Sequence, residues 1–557
     1  MYAEGDIYPY HMPGHKRQKW GELPEAMFKT DITEIEGFDN LHQPEGILLE
    51  LQREAAGLYG SEECYYLVNG STCGILSALS GAVLFGGRIL MARNCHKSAY
   101  HAAYLRHLKI SYLYPHYLET YGIADAVTSE QVRSALEAES DIQAVLIVSP
   151  TYEGRIADIS RIAGIVHERG IPLIVDEAHG AHLGLAEGFP PNSCQAGADL
   201  VIHSVHKTLP SLTQTALLHV NGNLVDRDRL CRFLHIYQTS SPSYLLMAGI
   251  DNALEYVRQQ GGTAFRQFRE RYDTMMEALS VCSCLKFLSG DNREQDTGKL
   301  VISVRHAGIT GKQLSDILLK EYHLQTEMSS GDYALAMFTV NDSEEAYRRM
   351  TEALLEIDSR VKEQNIDESF AGWHEDSPEI YRTEFLTKDA LSKKVLVKKA
   401  LIKQALVRKA SKKKPLVRKA SEKKFLVRKA PEKKLLVRKV SGKKPLVTSF
   451  LQEARGQFVL DKRPAAEEEM REPIPLAEAW DMESEEVALK DSVGKHAAEF
   501  VNLYPPGVPL LVPGERMTEG LYQEILRDLE AELTVQGIRV EAGNEPFPER
   551  AFIRLIR

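Results

Sequence analysis

Three apolar runs each end in side chains that can do chemistry. Ser149-Pro-Thr-Tyr-Glu-Gly154 follows Ala144–Val148, and Asp176-Glu-Ala-His-Gly-Ala-His182 follows Ile171–Val175. His203-Ser-Val-His-Lys-Thr208 follows Ala198–Ile202. A lysine that attacks a carbonyl must first be uncharged, which needs a shielded site with cationic neighbours. Taken alone, Lys207 at a strand end reads as a solvated side chain. Asp176 changes that reading, because pyridoxal phosphate (PLP) needs an acid beside its ring nitrogen to act as an electron sink. Asn69-Gly-Ser-Thr-Cys-Gly74 lies between the apolar runs Tyr65–Val68 and Ile75–Leu79, as a turn opening a helix. Free N–H groups and the helix dipole favour an anion there, although such a turn alone is also an ordinary N-cap. His96, in Arg93-Asn-Cys-His-Lys-Ser98, adds an imidazole. Together these residues fit one cofactor, PLP.

The elements that must position them follow from hydrophobic pattern. The three runs are four to six residues long, rich in β-branched residues and without alternation, as in strands buried on both faces. Between the first two, Ile159, Ile162, Ile165 and Val166 recur at helical spacing within Ile159–Arg169, and Gly170 and Pro172 stop the helix. Strand, helix and strand with short links predict a parallel α/β sheet. In such sheets ligands bind beyond the carboxyl ends of the strands.

Two rival motifs are weaker. Asp176-Glu-Ala-His179 invites a nucleotide-hydrolysing reading, which needs a Gly-Lys-Ser/Thr phosphate loop. Gly298-Lys299-Leu300, Gly311-Lys312-Gln313, Gly442-Lys443-Lys444 and Gly494-Lys495-His496 all lack the hydroxyl. His179 and His182 are possible metal ligands by type, but no other ligand pair is spaced with them, and no metal is expected.

The 557 residues are 43% hydrophobic and 26% charged, ordinary for a globular chain of several domains. No apolar run approaches the ~18 residues of a membrane span, and the first residues lack the pattern of a secretory signal. Seven cysteines without metal-type spacing predict free thiols in a reducing cytoplasm. The formal charge of −10 hides an asymmetry: residues 388–447 hold 23 Lys/Arg against 3 Asp/Glu. Here PLVRKASEKK, FLVRKAPEKK and LLVRKVSGKK follow one another from Pro415 with a ten-residue period. Ten residues do not return to one helix face, and Pro415, Pro431 and Pro445 interrupt a helix. The composition reads as a self-repelling disordered insert. The alternative is a tether to an anionic partner.

The ordered motifs resemble the Orn/Lys/Arg decarboxylase family. They are His11-Met-Pro-Gly-His-Lys16, Asp39-Asn-Leu-His-Gln-Pro-Glu-Gly46, Asn69-Gly-Ser-Thr72, Arg93-Asn-Cys-His-Lys-Ser98, Ser149-Pro-Thr-Tyr152, Asp176-Glu-Ala-His-Gly180, His203-Ser-Val-His-Lys207, Gln238-Thr-Ser-Ser-Pro-Ser-Tyr244, Tyr504-Pro-Pro-Gly-Val-Pro509 and Pro513-Gly-Glu515. The resemblance implies an α/β, PLP fold type I large domain with a mainly parallel central sheet, a smaller α+β domain and a C-terminal module. It makes Lys207 the Schiff-base lysine and Asp176 the partner of the pyridine nitrogen. His96 would stack on the cofactor ring, with His179 near it. Gly70, Ser71, Thr72, Ser204 and His206 would hold or flank the phosphate. Thr239, Ser240 and Ser241 would reach the phosphate of a neighbouring subunit, which implies a homodimer or higher homo-oligomer. Glu327, in Gln325-Thr-Glu-Met328, would meet the distal cationic end of a substrate.

The expected boundaries are an N-terminal arm (1–50), a PLP-binding large domain (51–290), a small α/β domain (291–380), the basic insert (381–450) and a C-terminal decarboxylase-type domain (451–557). The expected activity is decarboxylation of arginine, lysine or ornithine to a polyamine-type amine and CO2. Another PLP reaction such as transamination uses the same fold. A non-enzymatic, basic-tailed binding protein would show salt-sensitive affinity for anionic partners.

Overall fold

The computed structural model describes residues 10–19, 21–290, 294–371, 473–504, 507–543 and 546–557. One compact unit comprises Met1–Asp367 with Ala466–Arg557, and a second comprises Glu368–Ala465. The basic repeat, and the expectation that it is disordered, lie outside the described residues.

The first half of the chain builds β1 (Glu63–Leu67), β2 (Arg88–Ala92), β3 (Lys109–Leu113), the short pair β4 (Tyr117–Leu118) and β5 (Ile123–Ala124), β6 (Ile142–Val148), β7 (Leu173–Asp176), β8 (Leu200–Ser204) and β9 (Ala216–Val220). All except β4 and β5 form a seven-stranded sheet in the order β1-β9-β8-β7-β6-β2-β3. Pairing is parallel from β8 to β3, and β9 runs antiparallel to both its neighbours. The uninterrupted apolar runs explain this placement: every residue of β7, β8 and β9 is buried. Each such Val, Ile or Leu contributes about 1.5–3 kcal/mol of burial.

The helix after β6 shows how the local sequence feeds the sheet. Asp158 caps it by accepting from Arg161 N, and Ile159, Ile162, Ala163, Ile165 and Val166 form its buried face over Ile159–His167. Gly170, at φ +67, then turns the chain into β7.

A 36-residue helix, Tyr244–Leu279, leaves this domain and is about 54 Å long at 1.5 Å per residue. Its buried Met247, Ile250, Leu254, Phe265, Phe268 and Met275 join one core with Leu300, Ile302 and Ala334 of the next sheet. That sheet is antiparallel, ordered β10 (Lys286–Phe287), β11 (Lys299–Ser303), β13 (Tyr333–Met337) and β12 (Met328–Ser329).

The C-terminal part adds β14 (Ser484–Ala488), β15 (Val501–Leu503), β16 (Val508–Leu511), β17 (Val535–Gln536), β18 (Ile538–Val540) and β19 (Ala551–Ile556) in two three-stranded sheets. Arg93, just past β2, fastens it to the large domain. Its guanidinium meets Glu515 at 2.7 and 3.1 Å and donates to the Pro509 and Leu510 carbonyls. The planar five-donor fork of arginine suits such a multidentate pin. No helix among the described residues is long and apolar enough to cross a membrane.

Candidate active site at the strand ends

Strand register brings the reactive segments side by side. Val148 pairs with Asp176, and Asp176 pairs with Ile202, so β6 and β7 end level and β8 runs two residues further to Ser204. Lys207 sits on the four-residue helix Val205–Thr208 that follows β8. Burial lowers its pKa, while Asp176 and Glu327 pull it back up. Asp176 is itself buried, which raises its carboxyl, with Lys207 as the main opposing influence. Ala178 N donates to its Oδ1 at 3.1 Å.

His179 lies between two lysines. Its Nε2 is 3.1 Å from Lys207 Nζ, and its Nδ1 is 2.7 Å from Nζ of Lys299 at the start of β11. Burial, then the two lysine charges, hold its pKa well below the ordinary histidine value, so the ring is neutral. Tyr152, beyond β6, sets its ring edge-on to His179 at 4.9 Å. The Tyr152 hydroxyl donates to Glu327 Oε1 at 2.6 Å, and the Glu327 amide is fixed on the Leu335 carbonyl of β13. His96 caps the helix Lys97–Leu105 by accepting from Ser98 N. Burial first, then Lys207 and Lys97, push its pKa down to about 4, so it presents an uncharged ring.

Gly70, Ser71 and Thr72 form the first turn of the helix Gly70–Ala82. That helix presses against β8: a Cβ on Gly74 would fall 3.2 Å from Ile202, two residues before Ser204. Thr239 N donates to Asn69 Oδ1 at 3.2 Å, and Ser241 N donates to Thr239 Oγ1, so 239–241 crosses this helix start in the same chain. His206 Nδ1 donates to the Thr215 carbonyl at 2.9 Å and steadies the short helix. Ser204 Oγ is fully buried with no hydrogen-bond partner among the described residues.

Direct contact or charge therefore gathers Lys207, Asp176, His179, His96 and Glu327. The expected phosphate residues gather separately at the Gly70 helix start and the end of β8. His182 is not part of the cluster. It turns to Asp296 Oδ1 at 2.9 Å, so His179 and His182 do not converge on one ion. Sequence reasoning missed two members. Lys299 entered only through Gly298-Lys299-Leu300, which fails as a phosphate loop, and Tyr152 carried a motif but no role.

These residues fit PLP on the structure's own terms. A buried hydroxyl without a partner among the described residues lies at Ser204, a helix N-terminus favours anions, and a buried carboxylate faces a lysine whose charge is disfavoured. A cationic ring nitrogen would offset the burial of Asp176.

Comparison with known proteins identifies the family and the fold. The family described as Orn/Lys/Arg decarboxylase, major domain, matches residues 1–342, and its C-terminal domain matches residues 462–534. An uncharacterized protein of Bacillus subtilis, YaaO, is 32% identical over 66% of this chain and 78% of its own length. The arginine decarboxylase of Bacillus subtilis is 27% identical over 98% of this chain and 94% of its own length. The solved structure of the Escherichia coli constitutive lysine decarboxylase has the same fold. It superposes with a TM-score of 0.70 at 18% identity, covering 100% of this chain and 81% of that one.

Proposed function

Because the chain belongs to the Orn/Lys/Arg decarboxylase family, whose enzymes are PLP-dependent, we propose that it removes the α-carboxylate of arginine, lysine or ornithine. The product would be agmatine, cadaverine or putrescine, a link to polyamine metabolism. The supporting observation is a reactive-type lysine and a buried carboxylate beyond adjacent strands, with Glu327 held on Tyr152 beside them. The full-length arginine decarboxylase relative makes arginine the first substrate to offer.

PLP, when bound, supplies the sink for the electrons left on Cα as CO2 departs. In this reading Lys207 would be its covalent anchor, and Asp176 would keep its ring nitrogen protonated. His96 would stack on the ring as a neutral face, with His179 near it. Gly70, Ser71, Thr72, Ser204 and His206 would hold or flank the phosphate, and in a homodimer Thr239, Ser240 and Ser241 would reach the phosphate of the neighbouring subunit. Glu327 faces the distal cation of the substrate, where a carboxylate fixed by a phenol can take a guanidinium or ammonium by charge-assisted hydrogen bonds. Exclusion of water strengthens that attraction. One proton must reach Cα per turnover, and Lys207 and His179 are the groups positioned to hold it. The domain boundaries drawn from the sequence, a cytoplasmic location, and an anionic partner for the basic insert belong to the same proposal.

The test is CO2 release by the purified, PLP-loaded protein with each of the three amino acids, beside Lys207→Ala. Release from one substrate, lost in the variant, is expected. No release from any, with PLP still bound at Lys207, would point instead to another PLP reaction such as transamination.

A further inference from the structure

His179 is neutral and therefore carries one N–H and one lone pair. Each ring nitrogen faces a lysine amine, Nε2 to Lys207 at 3.1 Å and Nδ1 to Lys299 at 2.7 Å. The nitrogen bearing hydrogen can donate only to an uncharged amine, because an ammonium has no lone pair. At least one of the two lysines must therefore be neutral, and the tautomer of His179 selects which.

Three observations put the ammonium on Lys299. Its contact is the shorter one, in the range of charge-assisted hydrogen bonds. Its Nζ stands 5.6 Å over the Tyr152 ring, which attracts a cation. Asp296, Glu327 and Glu153 surround it with negative charge. Its direction is also built in: at Gly154, φ +92, an added Cβ would fall 2.7 Å from Lys299 Cγ. Glycine there lets the backbone close on the lysine stem.

We propose that Lys299 is a positioning residue that, through the tautomer of His179, holds Lys207 in its uncharged, nucleophilic form. The ammonium of Lys299 donates to Nδ1, so the His179 proton sits on Nε2 and points at Lys207. Lys207 can accept it only as a free amine. No proton has to move. The inference rests on reading Lys207 as the PLP anchor, but it concerns the amine before the cofactor arrives. The groups facing Lys299 are Asp296, Lys207, Glu327, Glu153, His179 and Tyr152. Those facing Lys207 are Asp176, Glu327, His179, His96, His206 and Lys299. Burial pushes the Lys299 pKa down to about 8. The hold on Lys207 is therefore present below that pH and lost as pH rises through it.

The experiment uses cofactor-free, full-length protein. Lys207 is acetylated with acetic anhydride across a pH series and quantified by peptide mass spectrometry. Lys299→Met is expected to move the reactivity midpoint of Lys207 upward by about one unit, roughly a tenfold slower reaction near pH 7. The shift should vanish in a His179→Phe background, which a merely structural role for Lys299 would not produce. An unmoved or lowered midpoint in folded Lys299→Met overturns the proposal. Should that variant not fold, wild-type protein labelled with 15N-histidine gives the answer directly. A proton on His179 Nε2 supports the proposal, and one on Nδ1 overturns it. Borohydride trapping of bound PLP separates the two readings. A label on Lys207 with an unmoved midpoint removes only the role of Lys299, whereas a label elsewhere removes the proposed function.

Discussion

Asp176 and Glu177 are chain neighbours at the end of β7, both buried, yet they build two unlike polar regions. Glu177 accepts from Ser193 N and Oγ and pairs with His203 Nε2 at 2.7 Å. His203 Nδ1 meets His219 Nε2 at 3.1 Å, and His219 Nδ1 meets Ser61 Oγ at 2.9 Å. Every hydrogen-bonding atom in that chain has a partner, and the ring of Tyr59 packs against both imidazoles. On the other side, Asp176 accepts from the Ala178 amide, Ser204 Oγ has no partner among the described residues, and two lysines share one imidazole. Both regions bury titratable groups beside β7 and β8. The difference is closure. A network whose donors and acceptors answer one another stabilises a fold. One left with excess polarity is completed by a ligand.

Substitutions on the two sides should have opposite consequences. Lys207→Ala should abolish CO2 release and covalent PLP capture while leaving the far-UV spectrum unchanged. Retained covalent PLP would place the anchor elsewhere. Asp176→Asn should lower turnover about a hundredfold or more with little change in the thermal midpoint. Glu177→Leu should do the reverse, costing about 3 kcal/mol because Ser193 loses its acceptor and His203 its hydrogen-bond partner. Equal stability losses in the two variants, measured by denaturant unfolding, would erase the contrast. Glu327→Gln should raise KM about tenfold, in line with one charge-assisted hydrogen bond, and reduce kcat less. A change confined to kcat would remove Glu327 from substrate binding.

The smallest effect is on pH dependence. Burial pushes the Glu177 carboxyl from its ordinary 4.5 up to about 8. Between those values the unfolded chain has released a proton that the folded chain keeps, so stability falls as pH rises across the window. Glu177→Gln cannot titrate and should flatten that fall. An identical decline in wild type and variant, compared at pH 5 and pH 8, would show that other groups carry it.

The sheet was largely legible, with instructive shifts at its edges. Ala144–Val148 became β6, Ile142–Val148, whereas Ile171–Val175 became Leu173–Asp176. Pro172 has no amide to donate, and pairing to Val148 carries the strand on through Asp176. Ala198–Ile202 likewise slid to Leu200–Ser204, because β9 continues the ladder to Ser204 and Ala216. Ionic and apolar character, by contrast, did not reveal Lys299. It drew notice only in Gly298-Lys299-Leu300, which fails as a phosphate loop, yet its side chain is fully buried at the start of Lys299–Ser303. Its partner His179 lies in another domain-forming segment, and no local pattern encodes that meeting. The Arg93–Glu515 pin is similar, since each residue sits in a recognisable motif but neither motif names the other.

The alternation of strand and helix, the family resemblance, and the lysine, carboxylate and imidazoles at the strand ends could all be read along the chain. These depend on periodicity and residue type, which are local properties. Which of those groups share a buried space is a matter of packing. Packing set Lys299 on the far side of His179, gave Glu327 to Tyr152, and closed Glu177 into a network apart from Asp176. Charge states in such a space follow from burial and from neighbours distant in the chain, and those exist only once the chain has packed.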